Sequence, residues 1–219
     1  ARSEGQRDPQ YLAQVIQDRG ITVLLLVPSM LQAFLEQDAV ARCQTLRLVL
    51  SSGEALPASL VERCRERLPA AELHNLYGQS EAAAVVTAWP CTTGDASEVI
   101  PIGRPIANTR AYILDVYGEP VPSGVTGELY IGGVQVARGY FDRAELTAER
   151  FSPSPFVFGD RLYKTGDLAR YTSEGTIEYL GRNDFQVKIR GFRIELGEIE
   201  GRLREHERIR EAVLLARED

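Results

Sequence analysis

The sequence predicts an α/β unit built on a parallel sheet, followed by a second unit that is rich in β-strands. Up to Pro90, apolar runs of strand length alternate with stretches whose apolar residues recur at helical spacing. After Pro90, glycine and proline separate short runs of β-branched and aromatic residues. Hydrophobic residues make up 44% of the 219-residue chain and charged residues 26%, so we expect a packed core in one or two domains.

The elements of the first unit follow in chain order. A helical stripe of apolar residues ends at Gly20, and glycine is a common helix terminator. The run 21–27 is apolar on both faces, which is typical of an inner parallel strand. Ser29 is placed to cap the next helix. Further strands are predicted at 46–50, 73–76 and 85–89, with a helix opened by Pro57.

The second unit suits a small antiparallel barrel or sandwich. Its predicted elements are a turn at 92–95, strands at 111–116, 128–131, 161–163 and 176–179, and a short helix at 145–151.

The end of the chain begins a third unit. Polar and apolar residues alternate over 185–190, which predicts a half-buried strand, and Gly191 interrupts this alternation. Leucine and isoleucine at helical spacing then predict a helix at 197–206, and a last strand is expected at 211–216.

Composition excludes several classes of function. The net charge of −6 argues against a nucleic-acid partner, and no apolar run reaches transmembrane length. No signal peptide opens the chain, and Cys43, Cys64 and Cys91 fit neither a disulfide framework nor a zinc site. His74 and His206 are too few and too far apart for a triad or metal cluster. We therefore expect a cytoplasmic protein with reduced thiols and no membrane partner.

Five segments contain residues suited to ligand chemistry. In Asn75-Leu-Tyr-Gly-Gln-Ser-Glu81, Tyr77 offers a face for stacking and Glu81 a hard oxygen ligand for Mg²⁺. The alternative is a plain loop from a strand to a helix, in which Ser80 caps the helix and Glu81 lies in its first turn. In Tyr163-Lys-Thr-Gly-Asp-Leu168, Asp167 can accept hydrogen bonds from both ribose hydroxyls, and the alternative is a common Gly-Asp turn. In Ser51-Ser-Gly-Glu-Ala-Leu56 the glycine lets a flat ligand approach the backbone, and a plain strand-to-helix turn is an equally good interpretation. The others are Gly127–140, for which we favour the structural interpretation of strand, glycine bend and strand, and 181–200.

The last of these segments joins a basic strand face to a glycine turn and an acidic helix. A cationic edge of this kind suits an anionic ligand, although the pattern alone favours an edge strand with solvated charges.

Together and in this order, the five segments resemble the core motifs of amino-acid adenylation domains from nonribosomal peptide synthetases, which are related to acyl-CoA synthetases and luciferases. The chain departs from the family pattern at Gln79, where proline is usual, and at Gln135, where glycine is usual. The resemblance implies three regions: 1–92 as the second half of an αβ subdomain, 93–182 as a small distorted β-barrel subdomain, and 183–219 as the hinge and start of a small C-terminal α+β subdomain.

The resemblance also implies roles for single residues. Tyr77 would stack on adenine, Asn75 would hold the base, Ser80 would approach a phosphate, Glu81 would bind Mg²⁺ and Asp167 would hold the ribose. The further nucleotide contacts would be Gly53, Glu54, Ala55, Leu76, Tyr179 and Arg182.

Residues near the hinge receive roles in the same way. Asp184 would be the residue about which the C-terminal subdomain rotates. Lys188 and Arg190 would face the carrier-protein arm, and solvated charge is an equally good interpretation of both. The candidate catalytic residues are Glu81, Ser80, Arg182 and Lys188.

The implied reaction joins an amino acid to ATP, giving an aminoacyl-adenylate and pyrophosphate, and then passes the acyl group to the phosphopantetheine thiol of a carrier protein. ATP and Mg²⁺ are the implied cofactors. The implied partners are the amino acid, a peptidyl carrier protein, the rest of the adenylation domain and the neighbouring synthetase domains. The phosphate loop, an aspartate motif and a late lysine of the family are not found in this sequence. We therefore expect part of a domain, with little or no adenylation activity by itself.

The resemblance also locates a pocket for the side chain of the substrate. Its wall would be mostly apolar and uncharged, which favours a small or medium uncharged amino acid, although the same residues suit an ordinary core. The pocket positions are Leu25, Leu50, Ser52, Leu76, Ala84 and Val85.

Two other functions stay open at this point: an acyl- or aryl-CoA synthetase of the same superfamily, and a truncated interaction module without catalysis.

Overall fold

The computed structural model describes residues 2–92, 99–184, 186–189, 191–206 and 208–216, apart from the side chain of Lys188. None of the helices in these ranges has both the length and the apolar character needed to cross a membrane. The helices are α1 (Pro9–Arg19), α2 (Pro28–Leu35), α3 (Ala58–Arg67), α4 (Ala144–Arg150) and α5 (Leu196–Arg204). The strands are β1 (Val23–Leu26), β2 (Leu48–Ser52), β3 (Glu72–Tyr77), β4 (Thr87–Pro90), β5 (Arg104–Pro105), β6 (Thr109–Leu114), β7 (Gly127–Gly133), β8 (Phe151–Pro153), β9 (Arg161–Tyr171), β10 (Ile177–Arg182), β11 (Gln186–Ile189) and β12 (Phe192–Glu195).

The first sheet, in the order β1-β2-β3-β4-β5, is mixed rather than wholly parallel. Strands β1, β2 and β3 are parallel, as predicted, but β4 runs antiparallel to β3 and β5 antiparallel to β4. The predicted helix after Ser80 is only a 3-10 turn at Ser80–Ala82, followed by Ala83 and Ala84 with φ of 57° and 71°. Because this connection contains no crossover helix, the chain can only reverse direction at β4.

The prediction that 21–27 forms an inner strand is wrong for the part of the chain that the structure describes. There β1 lies at the edge of the sheet. Leu24 and Leu26 are buried against the helices, whereas Val23 is 50% and Leu25 60% exposed on the other face. The run is apolar on both faces, yet only one of them is covered here.

Helix α2 shows why the predicted cap at Ser29 is also wrong. Pro28 occupies the first helical position and Val27 precedes it as the N-cap residue. The backbone N–H and hydroxyl of Ser29 instead donate to the two carboxylate oxygens of Glu54, at 3.1 and 3.4 Å. The apolar face of α2 is buried as the helical spacing predicts, at Leu31, Phe34 and Leu35.

The second sheet is antiparallel, in the order β10-β9-β7-β6 with β8 beside β9, and it forms a curled half-barrel. The core of this sheet includes Ile131 and Ile177, and it extends to Tyr77 at the end of β3 and to Val86 just before β4. A bridge between Gly103 and Ile177 also joins the two sheets through backbone hydrogen bonds. The two sheets are therefore packed as one body, and the candidate site lies where they meet.

The third region is a hairpin followed by a helix. Strands β11 and β12 pair antiparallel on either side of Gly191, which has φ of +77°. The prediction missed β12, because the interruption at Gly191 is the turn of the hairpin and not the end of the sheet. Helix α5 is confirmed, but residues 211–216 form no strand. Most of the turn predicted at 92–95 lies outside the described residues.

Replacement of Gly103 by alanine tests the junction of the two sheets. A Cβ atom at Gly103 (φ +87°) would lie 2.0 Å from the backbone oxygen of Ala88, whereas at Gly118 (φ +84°) a Cβ atom meets nothing within 4 Å. We expect Gly103→Ala to lower the free energy of unfolding by about 3 kcal/mol or more, and Gly118→Ala, the matched control, by about 1–2 kcal/mol. Urea unfolding followed by the fluorescence of Trp89 would measure both, and equal losses would contradict the prediction.

Candidate functional site

A cleft of about 900 Å³ lies between the two sheets and the hairpin β11–β12. Its floor is the carboxyl end of β3, where Asn75 and Tyr77 lie. The cleft brings together Tyr179 and residues that were predicted from three separate segments. These are Gly53, Glu54, Ala55, Asn75, Leu76, Tyr77, Tyr179, Arg182 and Asp184.

Asp167 is completely buried behind the wall of this cleft. The hydroxyl of Tyr77 donates to its Oδ2 atom, and Gln79 Nε2 donates to the same oxygen at 2.6 Å. Arg182 Nη1 donates to the other oxygen at 2.6 Å. The carboxylate that we predicted to hold a ribose is thus engaged by protein donors, and a diol could reach it only after one of these side chains moves.

Gln79 is a part of the site to which the sequence analysis gave no chemistry. Its amide nitrogen donates to both the hydroxyl of Tyr77 and the carboxylate of Asp167. The signal was present in the sequence: a long polar side chain stands next to Tyr77, where the family usually has proline. The residue therefore links the two predicted nucleotide contacts, Tyr77 and Asp167.

Arg182 also holds the predicted hinge residue. Its Nε and Nη2 atoms donate to the two oxygens of Asp184, at 2.6 and 2.7 Å, and Nη2 donates to the backbone oxygen of Thr165 at 3.2 Å. Burial by itself would raise the pKa of Asp184, but the hydrogen bonds and charge of Arg182 outweigh it and hold this pKa below its usual value. Asp184 lies between β10 and β11, so the ion pair fixes the start of the hairpin.

Two tyrosines of the cleft are kept protonated. Burial, helped by the negative charge of Asp167, raises the pKa of Tyr179 to about 12. The same two causes raise the pKa of Tyr77 well above its usual value. Both hydroxyls are therefore neutral at physiological pH.

Glu81 lies at a second group of polar residues. Its Oε1 atom accepts hydrogen bonds from the Tyr140 hydroxyl at 2.8 Å and from Arg193 Nη1 at 2.6 Å. Its Oε2 atom is buried without a hydrogen-bond partner among the described residues. Burial alone would raise the pKa of Glu81, but the contacts with Tyr140 and Arg193 keep it below the usual value. Sequence reasoning gave no role to Tyr140 or Arg193, although both lie inside the quoted motifs.

The Oε2 atom of Glu81 is a suitable ligand for a hard cation, since it is a buried oxygen to which no donor in the described part of the chain hydrogen-bonds. Within the described residues, no group of three or more His, Cys, Asp or Glu side chains could hold a metal ion. A Mg²⁺ ion at Glu81 would therefore depend on phosphate oxygens and water for its other ligands, as is common for this ion.

The other two predicted catalytic residues, besides Glu81 and Arg182, are Ser80 and Lys188. Ser80 is exposed at the start of the 3-10 turn, close in sequence to Glu81. Lys188 lies on β11, but its side chain is outside the described part, and so is the whole of Arg190.

The predicted pocket residues share a face of the first sheet. Leu25 pairs with Leu50 and Ser52 with Leu76 in the parallel register, on the face opposite the helix-covered core. A cavity of about 430 Å³ next to them is lined mainly by apolar residues. Of the predicted pocket residues, Leu25 and Ser52 are part of its lining. The other two pocket positions, Ala84 and Val85, lie in the loop between the 3-10 turn and β4.

Comparison with known proteins shows where this chain belongs. Residues 1–141 match the family described as AMP-binding enzyme. The chain is 54% identical over 215 residues to phosphinothricin tripeptide synthetase PhsB of Streptomyces viridochromogenes, covering 98% of this chain and 18% of that protein. It is 46% identical over 219 residues to tyrocidine synthase 3 of Brevibacillus parabrevis, covering all of this chain and 3% of that protein.

A solved structure gives the same result for the fold. The structure of PA1221, described as an NRPS protein containing adenylation and PCP domains, matches with a TM-score of 0.87 and 33% identity. The match covers 96% of this chain and 43% of that one. This chain thus spans less than half of the known protein chains that it matches here.

Removal of the Tyr77 hydroxyl tests the hydrogen-bond network around Asp167. We expect Tyr77→Phe to lower the free energy of unfolding by about 1–3 kcal/mol, because a buried carboxylate loses a donor and the Gln79 amide loses an acceptor. Tyr112→Phe is the matched control: Tyr112 stacks on Phe156 with ring centroids 4.4 Å apart, and its hydroxyl has no hydrogen-bond partner among the described residues. Urea unfolding would compare the two variants, and equal losses would contradict the prediction.

The lowered pKa of Asp184 predicts a pH dependence with a defined sign. The Arg182 contact contributes stability above the ordinary pKa of 3.8, and this contribution is lost as the pH falls through the lower folded-state pKa. At pH 7, Asp184→Asn should lower the free energy of unfolding by about 1–3 kcal/mol, and this difference should shrink below pH 3.8. Urea unfolding between pH 3 and pH 7 measures it, with Glu205→Gln in an exposed pair as the control. A deficit in Asp184→Asn that grew at low pH would contradict this prediction.

Proposed function

Because the chain belongs to the AMP-binding enzyme family and forms part of an adenylation domain of the nonribosomal peptide synthetase type, we propose that its whole protein activates an amino acid with ATP. The amino-acid carboxylate attacks the α-phosphorus of ATP, an aminoacyl-adenylate forms, and pyrophosphate leaves. The thiol of a phosphopantetheine arm then attacks the acyl carbonyl, a thioester forms, and AMP leaves.

One observation supports this proposal most directly. A single cleft between two sheets contains an aromatic ring, a buried amide, an arginine and, behind its wall, a carboxylate: Tyr77, Asn75, Arg182 and Asp167. These groups suit the three parts of a nucleotide, since a ring stacks on a base, a carboxylate accepts from a diol, and a guanidinium binds phosphate.

The proposed roles follow the geometry of the cleft. Tyr77 and Tyr179, whose rings lie 6.3 Å apart, would contact the base and the sugar. Asn75 is held by the backbone oxygen of Pro101 at 2.8 Å, so its orientation is fixed before any ligand binds. Arg182 would leave Asp167 for the nucleotide, which would free the Oδ1 atom of this carboxylate for a ribose hydroxyl. Catalysis by these groups is mainly positioning and neutralisation of charge.

Glu81 would hold Mg²⁺ through its buried Oε2 atom, with Ser80 beside it near the phosphates. When bound, Mg²⁺ neutralises charge on the phosphate oxygens. Tyr140 would keep the carboxylate of Glu81 in one orientation through its hydrogen bond to Oε1.

The substrate would be a small or medium amino acid without a charged side chain. The supporting observation is the face of the first sheet on which Leu25, Leu50, Ser52 and Leu76 lie together. A charged group on this apolar surface would lose hydration without gaining a partner. Ala84 and Val85 would contribute to the same wall.

We place the hinge at Asp184 and the carrier-protein partner on the side of the hairpin β11–β12. A carrier domain occurs in the solved relative PA1221, an NRPS protein containing adenylation and PCP domains. Lys188 and Arg190 would face the arm of the carrier protein. The three regions 1–92, 93–182 and 183–219 would be the parts of one adenylation domain, working with the rest of the synthetase in the cytoplasm.

The two other functions considered for this chain have less support. The relatives reported above are synthetases and synthases of peptides, which favours the amino-acid-activating function over an acyl- or aryl-CoA synthetase. An interaction module without catalysis would not need the nucleotide-like set of groups in the cleft.

Replacement of Glu81 tests the proposed function. In the whole protein, Glu81→Gln should lower amino-acid-dependent ATP–pyrophosphate exchange by about 10–100-fold, because the metal would lose its protein ligand. Glu145→Gln, an exposed carboxylate in α4, is the matched control and should leave the exchange unchanged. We also expect the 219-residue chain alone to catalyse little or no exchange. Full exchange by Glu81→Gln would contradict the role of Glu81, and exchange that depends on a fatty acid and not on an amino acid would contradict the proposed function.

A further inference from the structure

The hairpin β11–β12 donates hydrogen bonds to two carboxylates of the first unit, Glu54 and Glu81. At its tip, the backbone N–H of Gly191 donates to Glu54 Oε1 at 2.7 Å. At β12, Arg193 Nη1 donates to Glu81 Oε1 at 2.6 Å. The fit at the tip is close, since a Cβ atom at Gly191 would lie 2.7 Å from Cγ1 of Val27. The position of the hairpin therefore decides whether Arg193 reaches Glu81.

Arg193 supplies Glu81 with the positive charge that a metal ion would otherwise supply. The side chain of Glu81 is 8% exposed, and a buried carboxylate needs a cationic or hydrogen-bonding partner. Arg193 and Tyr140 donate to one oxygen, and the other oxygen is buried with no hydrogen-bond partner among the residues that the structure describes. Arg193 thus binds the Oε1 atom of Glu81, and the Oε2 atom is the ligand proposed for the metal.

A guanidinium and a divalent cation on the two oxygens of one buried carboxylate would lie only a few ångströms apart. Their repulsion is weakly screened there, because the surroundings are protein and not water. The two negative charges of Glu81 and Glu195 are fewer than the three positive charges of a guanidinium and a divalent cation. Arg193 also has a second partner, Glu195 at 3.0 Å, to which it can remain paired when it leaves Glu81.

We propose that Arg193 and a divalent cation bind Glu81 alternately, so that metal binding and docking of the hairpin β11–β12 oppose each other. The inference rests on the proposed function, because it takes Glu81 as the metal ligand. It adds a consequence for the reaction: the hairpin lies over the cleft with Arg193 on Glu81 when the metal is absent, and it is released when the metal enters. By linkage, docking of the hairpin weakens metal binding by the same factor by which the metal weakens docking, so loss of the Arg193 contact should strengthen metal binding.

Tb³⁺ luminescence tests this directly on the 219-residue chain. Tb³⁺ is a hard, oxygen-seeking cation that emits when a nearby tyrosine is excited, and Tyr140 contacts Glu81. The signal that Glu81→Gln removes reports the ion at this carboxylate. For that signal, we expect Arg193→Ala to lower the apparent dissociation constant about tenfold relative to the unchanged protein.

The matched control is Arg202→Ala. Arg202 lies on α5 in the same region, and its side chain is 80% exposed. It pairs with Glu205 and not with Glu81, so the variant loses the same charge without changing the contacts of Glu81. It should bind Tb³⁺ like the unchanged protein. Equal or weaker Tb³⁺ binding by Arg193→Ala, or the same gain in Arg202→Ala, would overturn the inference.

Hydrogen exchange of the unsubstituted chain gives a second measurement that does not depend on a variant. Saturating Tb³⁺ should speed amide exchange at Gly191 and in β12, because the hairpin would lose its contact with Glu81. Unchanged exchange would overturn the inference. Failure of the whole protein in ATP–pyrophosphate exchange would instead remove the proposed function, and these Tb³⁺ measurements would still decide whether the two cations compete.

Discussion

The buried carboxylate of Asp167 is the group on which the arrangement of the site depends. It receives hydrogen bonds from Tyr77, which ends β3 of the first sheet, from Gln79, which follows that strand, and from Arg182, which ends β10 of the second sheet. A buried charge without such partners would cost several kcal/mol, so the two sheets must meet where these donors can reach it. The cleft is the space left above this contact.

Arg182 extends this constraint to the hairpin, because it binds Asp167 and Asp184 at the same time. Movement about Asp184 would have to break this contact or pull Arg182 away from Asp167. The contents of the cleft and the position of the hairpin are therefore coupled through one guanidinium. The Arg193–Glu81 pair adds a second coupling between the same two parts of the molecule.

Gln79 shows how one unusual residue changes such a network. Its amide bridges Tyr77 and Asp167, and a proline at this position could make neither hydrogen bond. In this chain the loop after β3 therefore holds both residues before a ligand arrives. A nucleotide that used the Oδ2 atom of the Asp167 carboxylate would have to displace the two donors, Tyr77 and Gln79.

The sequence by itself determined the local elements and the order of the motifs. The periodicity of apolar residues is a local property, so it located α1, α2, α5 and the three parallel strands, and the motifs after β2, β3 and β10 selected the residues that line the cleft. Only the tertiary structure decided the reversal at β4, the edge position of β1, the burial of Asp167 and the pairing of Glu81 with Arg193. The physical reason is distance along the chain. The Tyr77–Asp167 contact joins residues 90 positions apart and the Glu81–Arg193 contact joins residues 112 apart, and no local pattern reports which distant charge a buried group will meet.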